Sequence, residues 1–304
     1  MMYPLLLMIY QSRDSHGIAM ERFFNYVGIS KQAFHKARKA SEANTLKWKS
    51  LPDEIAHYRA STDCRAGSRS LFHNLNIKET YGVGINKFER KVAELGLSLV
   101  PLRTRIVTTR SCKQSWNYHN EILGLSLTRI NQVVVGDLTY LFVQGVRYFL
   151  FVLTDIFSGR IVGWSLSIDM RASSALAALN MLVKLRGKDN LIGCYHHTDG
   201  GTQYFSTIYI EKITECKMII SRADNCLENG YAEQRNGYIK NHLLPLIEVN
   251  DEASVRRKLG KLIDRYNNIR KQQNLGWKSP VEFEQMLADG GKGPTITLCN
   301  FEKL

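Results

Sequence analysis

The chain is read as an α/β protein: a mixed five-stranded sheet flanked by helices, preceded by small all-α helix-turn-helix modules. Three observations carry this. Residues 18–97 show helical spacing broken at glycines. From residue 132 the pattern turns to β-rich runs, which then alternate with helices in the order βββ-α-β-α-β-α. The basic excess lies outside that alternating segment: residues 1–128 carry +9, residues 129–250 only +1 and residues 251–304 carry +3 of the net +13.

Taken in order, Ile18 to Tyr26 is amphipathic, Val27-Gly28-Ile29 reads as a turn, and Ser30 is a good N-cap for the next helix. That helix carries Lys31, Gln32, Lys36 and Arg38, a donor-rich surface suited to reading a DNA groove. A plain helical hairpin with a basic outer face fits the same residues. Residues 66–97 repeat the theme, with helices around Ser68–Leu75 and Asn86–Leu95, a Tyr81-Gly82-Val83-Gly84 turn between them and Gly96 closing the second. Arg65, Arg69 and Lys87 decorate this pair, and a polar, basic stretch with Arg103 and Arg105 follows it as a linker that could track a DNA backbone.

In the second half, Val133–Leu141 and Tyr148–Thr154 are strands joined through Gln144-Gly145, and Arg160–Ser167 is a third. A helix is expected over Ala172–Arg186, a buried strand over Cys194–Thr198, a helix over Thr207–Cys216 and a brief strand over Met218–Ile220. Helices at Asn229–Leu244 and 252–266 follow, and Gly290–Leu304 reads as a loose tail. The expected organisation is an N-terminal helix-turn-helix (1–48), a second such region (49–110), a basic linker (111–128), a catalytic core (129–250) and a basic C-terminal helix with its tail (251–304).

Several classes are disfavoured. The apolar run Pro4–Tyr10 is far shorter than the ~20 residues that span a bilayer, so no membrane partner is expected. Six scattered cysteines without a C-x-x-C pair argue against a zinc site or a disulfide framework and suit a reducing cytoplasm.

Three acids stand out. Asp137 interrupts a hydrophobic strand (QVVVGDLTY), where an unpaired carboxylate is costly. Asp199 follows a short strand in YHHTDGGTQY, with Gly200-Gly201 leaving the backbone room for a ligand. Glu233 shares a helix face with Asn229, Asn236 and Lys240, and Gly237 on that helix suggests close packing. Phosphoryl transfer on DNA needs an activated oxygen nucleophile, a stabilised phosphate and a neutralised leaving oxygen. Two Mg²⁺ ions ~3.5–4 Å apart supply all three, held by a few converging carboxylates. Asp155 is expected to cap a strand end instead: if Gln144-Gly145 is the hairpin tip, Asp137 faces Val152 and Asp155 lies about 10 Å further along.

The segments VVGDLTY, HTDGGTQY and NGYAEQRNGYIKN resemble the Asp, Asp and Glu blocks of insertion-sequence transposases of the IS-three type, and YNNIRKQQNLGWKSPVEFE resembles their closing block. The likeness covers residues 66–284. It implies a ribonuclease H-like core similar to that of retroviral integrases, with Asp137, Asp199 and Glu233 as catalytic metal ligands. It further implies Mg²⁺ dependence (Mn²⁺ substituting) and strand cleavage and transfer at mobile-element ends. The implied partners are double-stranded DNA, as element ends and target, and further copies of the chain on paired ends. Asn229, Asn236 and Lys240 are carried as DNA-contacting candidates, and the expected location is the bacterial cytoplasm at the nucleoid. The 33 residues between Asp199 and Glu233 fall a little short of the family's usual spacing, which leaves Glu228 as the runner-up. An inactive, domesticated DNA-binding regulator is the alternative reading. The presence of all three acids favours activity.

Overall fold

The computed structural model describes residues 8, 10, 12, 20–100, 118–223, 229–249 and 251–298. Arg103, Arg105 and Glu228 lie outside them. The chain forms two compact units, residues 1–56 and 57–304.

In the first unit, α1 (Met20–Val27) and α2 (Lys31–Lys47) meet at the expected turn. Gly28 takes the left-handed conformation (φ +72°), and the Ser30 hydroxyl caps α2 by accepting from the Ala33 N–H at 3.1 Å. Phe24 and Phe34 are buried against each other, their ring centroids 5.2 Å apart. Helix α2 runs on to Lys47, nine residues past Arg38. A helix not anticipated, α3 (Leu51–Ser61), crosses the boundary between the units.

The second unit begins with three short helices where two were expected: α4 (Ser68–Asn74), α5 (Ile77–Tyr81) and α6 (Ile85–Glu94). Asn76 and Gly82, both with positive φ, bracket α5, so the turn of the sequence reading holds an extra helical turn.

The sheet follows expectation closely. Strands β2 (Val133–Val143), β3 (Val146–Asp155) and β4 (Ile161–Ser167) form an antiparallel meander. Gln144 and Gly145, both at positive φ, make its first turn and set Asp137 opposite Val152. Helix α7 (Ala172–Arg186) then leads to β5 (Tyr195–Thr198), and α8 (Thr207–Glu215) leads to β6 (Ile219–Arg222), both strands running parallel to β2. The order across the sheet is β4-β3-β2-β5-β6.

Period-2 alternation along β3 divides the core. Phe151 and Leu153 face α7 and α8, while Leu150 and Val152 face the later helices. The α7 side is very tight: a Cβ on Gly163 of β4 would stand 2.3 Å from the Ala178 carbonyl oxygen.

The other face is covered by α9 (Gly230–Tyr238), the segment after it and α10 (Glu252–Asn268). The continuous helix expected over Asn229–Leu244 is in fact broken. A π-helical turn at Ile239–Leu243 follows α9, and a 3₁₀ turn at Leu244–Leu246 with Pro245 in its first turn follows that. Gly237 has open space around it, so close packing does not explain that glycine.

The C-terminal stretch also departs from the sequence reading. Helix α11 (Pro280–Ala288) carries a full capping box between Ser279 and Glu282. Beyond it, β7 (Ile296–Thr297) pairs with β1 (Ser126–Leu127), so residues 290–298 are not simply a loose tail. Leu127 and Leu298 are buried with Ile122 and Phe283 at this end of the core. Among the described residues no helix is long and apolar enough to cross a membrane.

Candidate active site

Strands β2 and β5 pair in parallel up to Gly136 and Thr198. Asp137 and Asp199 each come one residue later, so the topology puts the two carboxylates side by side where β5 ends. Gly136 permits this. A Cβ there would meet Leu153 Cδ2 at 2.9 Å and Thr198 Cγ2 at 3.1 Å.

Each carboxylate is held by its surroundings. Asp137 Oδ1 accepts the Leu138 N–H at 2.9 Å, and its Oδ2 accepts from Asn236 Nδ2 at 2.7 Å. Asp199 Oδ1 accepts the Gly201 N–H at 3.1 Å, and a Cβ on Gly201 would sit 3.0 Å from that same oxygen. Neither acid has an ion-pair partner among the described residues. Burial, then the charge of Asp199, pushes the Asp137 carboxyl up from 3.8 to about 7. The hydrogen bonds from Asn236 and Leu138 oppose that rise, and Glu233 adds the smallest contribution to it. Burial also raises Asp199, against the Gly201 N–H.

Helix α9 crosses above β2. Asn229 and Asn236 are buried, with their amides turned to the strand: Asn229 Nδ2 reaches the Gly136 carbonyl at 3.4 Å. Glu233 lies between them and is exposed. Its charge reaches Asp137, more weakly than that of Asp199. Lys240, two turns beyond Glu233, stands 4.9 Å from the Tyr140 ring centroid. Burial lowers its pKa while Asp137 raises it, so this ammonium also faces the acid.

The residue types fit a hard divalent cation. The two central donors are carboxylate oxygens, and their raised affinity for protons marks negative charge awaiting a counter-charge. Among the described residues no three His, Cys, Asp or Glu side chains form a ready metal cage. The histidines beside Asp199 serve the core. His196 Nε2 and the Tyr209 hydroxyl lie 2.7 Å apart, His197 Nδ1 and the Ser221 hydroxyl 2.8 Å, and burial drives His196 down to about 3.

Asp155 caps the end of β3 as expected, fully buried and accepting the N–H groups of Asn131 (2.6 Å) and Ser158 (3.0 Å). Of the other candidates, Lys31, Gln32, Lys36, Arg69 and Lys87 are exposed, and Arg38 is half-buried. Arg69 pairs with Glu89, and Arg65 donates to the Val100 carbonyl. Sequence reasoning grouped Asn236 with DNA contacts and missed its bond to Asp137. The shared helix face carried that signal, but the partner is fixed only by how α9 crosses β2.

The Integrase core domain family matches residues 128–226. Over 263 residues the chain is 28% identical to the transposase for insertion sequence element IS629 of Shigella sonnei, covering 86% of each chain. Over 248 residues it is 30% identical to the putative transposase for IS986/IS6110 of Mycobacterium tuberculosis, covering 77% of this chain and 86% of that one. Among solved structures, the HTLV-2 integrase catalytic core domain in complex with magnesium aligns with 51% of this chain and 96% of its own, at 23% identity and a TM-score of 0.43. On these relationships the chain belongs to the insertion-sequence transposases and carries an integrase-type core.

Proposed function

We propose that the protein cleaves DNA at the ends of a mobile element and joins them to a target, with Asp137, Asp199 and Glu233 holding divalent metal ions. The carrying observation is the pair of carboxylates at adjacent strand ends, half-buried and without a cationic ion-pair partner among the described residues. Bound Mg²⁺ would lower the pKa of the attacking hydroxyl and neutralise the departing oxygen. Asn236 fixes the Asp137 carboxylate, and the Gly201 N–H fixes that of Asp199, so both present oxygens in set directions. Glu233 supplies the third carboxylate from the exposed side of α9, where DNA approaches.

The nucleophile is water in the first step and a DNA 3′-hydroxyl in the second. The two hydroxyls nearest the aspartates in sequence, those of Thr198 and Tyr204, are only 1% and 2% exposed and are not open to a DNA strand. The exposed cations of α2 and α6 bind duplex DNA in this reading, and several copies of the chain assemble on paired ends. Glu233→Gln tests the assignment. With Mg²⁺, strand cleavage should fall by orders of magnitude while DNA binding persists. Undiminished cleavage by that variant, or a strand covalently attached to denatured protein, would overturn it.

A further inference from the structure

A cleft of about 780 Å³ opens on the side of α9 that carries Gln234 and Arg235, between α4 and the loop after α10. Its walls include Arg69, Arg235, Tyr238, Arg270, Lys271 and Trp277, and among the described residues no carboxylate lines it. Two of the cations are already balanced, Arg270 by Asp63 at 3.0 Å and Arg69 by Glu89 at 3.2 Å. The other two are not. Arg235 donates to the Tyr266 hydroxyl, and Lys271 Nζ to Asn76 Oδ1 (2.8 Å) and the His73 carbonyl (3.3 Å), all neutral acceptors. The cleft therefore holds uncompensated positive charge.

Trp277 adds a second, independent feature. Gly276 and Trp277 are consecutive left-handed residues (φ +63° and +59°), a conformation unfavourable for a bulky side chain. The Trp277 N–H bond to the Gln272 carbonyl (2.9 Å) and the Gln272–Lys278 bridge hold the turn. The indole stacks on His73, with centroids 3.7 Å apart and planes 12° off parallel. With that side covered, the rest of the indole borders the cleft. Strain kept in place to aim an aromatic ring at a cationic cavity indicates a ligand with a π-face and a negative charge.

We infer that this cleft takes an unpaired nucleotide of a DNA strand, its base stacked on Trp277 and its phosphate met by Lys271 and Arg235. The volume suits one nucleotide with part of its backbone. Gln234, Gln273 and Asn274 offer both donors and acceptors to a base edge. A blunt duplex cannot enter without unstacking a base, so the site favours frayed or single-stranded DNA over paired DNA. The inference rests on the proposed action on DNA, but it concerns a place that the carboxylates do not occupy.

The test is binding of the full-length protein, in metal-free buffer at fixed salt, to a blunt duplex and to the same duplex with a short single-stranded extension on either strand. The wild-type protein should prefer an extended duplex by about tenfold. Trp277→Asn removes the ring yet tolerates the left-handed backbone, and it should erase the preference while leaving blunt-duplex affinity unchanged. Trp277→Phe should keep most of the preference. The strand that carries the effective extension identifies the source of the nucleotide. Equal wild-type binding to blunt and extended DNA, or a preference surviving in Trp277→Asn, would overturn the assignment. So would a deoxynucleoside monophosphate competing as well as the single-stranded oligonucleotide. Glu233→Gln should retain the preference, which separates failure of this site from failure of the cleavage assignment.

Discussion

Replacing Asp137 by Asn should stabilise the metal-free protein at neutral and alkaline pH. The carboxyl rises from 3.8 to about 7 through burial and the Asp199 charge. The folded value exceeds the unfolded one, so the stability linked to this group is fully present below the unfolded pKa and is lost as pH rises through about 7. Three units at 1.36 kcal/mol each give a loss of about 4 kcal/mol at pH 8. At pH 5 the folded state is still protonated while the unfolded chain is mostly ionised, and the loss is under half as large. The variant escapes both losses. The introduced amide can still accept the Leu138 N–H through its oxygen, and its nitrogen can donate to Asn236 Oδ1, a buried atom otherwise without a partner.

At 2–4 °C per kcal/mol for a unit of this size, the melting temperature of Asp137→Asn should exceed that of the wild type by about 10 °C at pH 8 in chelator. The gap should shrink toward pH 4. Saturating Mg²⁺ should raise the wild-type melting temperature and leave the variant unmoved, because the cation supplies the missing counter-charge only where the carboxylate remains. Differential scanning calorimetry across pH, with and without Mg²⁺, reads all of this. A variant less stable than wild type at pH 8 without metal would refute the reasoning, as would equal Mg²⁺ stabilisation of both proteins.

Two further perturbations probe the frame around the site. Gly163→Ala places a Cβ against the Ala178 carbonyl and should cost about 1–3 kcal/mol as α7 is pushed off the sheet; a change within about 0.5 kcal/mol in urea melts would contradict that packing. Asp63 is 1% exposed and meets His242 at 2.6 Å and Arg270 at 3.0 Å, so Asp63→Ala leaves a half-buried guanidinium without its acid and should cost about 1–3 kcal/mol. Although burial alone would raise it, bonds and charge from His242 and Arg270 hold the Asp63 carboxyl below 3.8. The stability it contributes is therefore present above about pH 4 and lost only below that, and an Asp63→Asn protein should show a flatter acid limb in the same melts.

The catalytic frame was legible because local chemistry sets it. The Gln144-Gly145 turn admits one hairpin register, and that register alone puts Asp137 opposite Val152 and moves Asp155 to the strand end. What escaped notice depends on partners far apart in the chain. Asp63 in the α3–α4 connection reads as a solvated acid until Arg270 is folded onto it, and the two-residue β1–β7 pairing has no period to detect. Pro245 marks where the helix must stop, but the π-helical turn ahead of it was not legible, since a π turn is selected by what the helix packs on. The nucleotide cleft is assembled from α4, α9 and the loop after α10, and none of these segments signals it by itself.

The β1–β7 pairing has a topological consequence. Ser126 and Thr297 are partners, so the chain enters and leaves its sheet domain through the same doorway. The helices before Ser126 do not drift away from it: Asp63 pairs with Arg270 and Asn74 Oδ1 accepts the Lys271 N–H, so α3 to α6 fold back onto the body whose sheet they lead into.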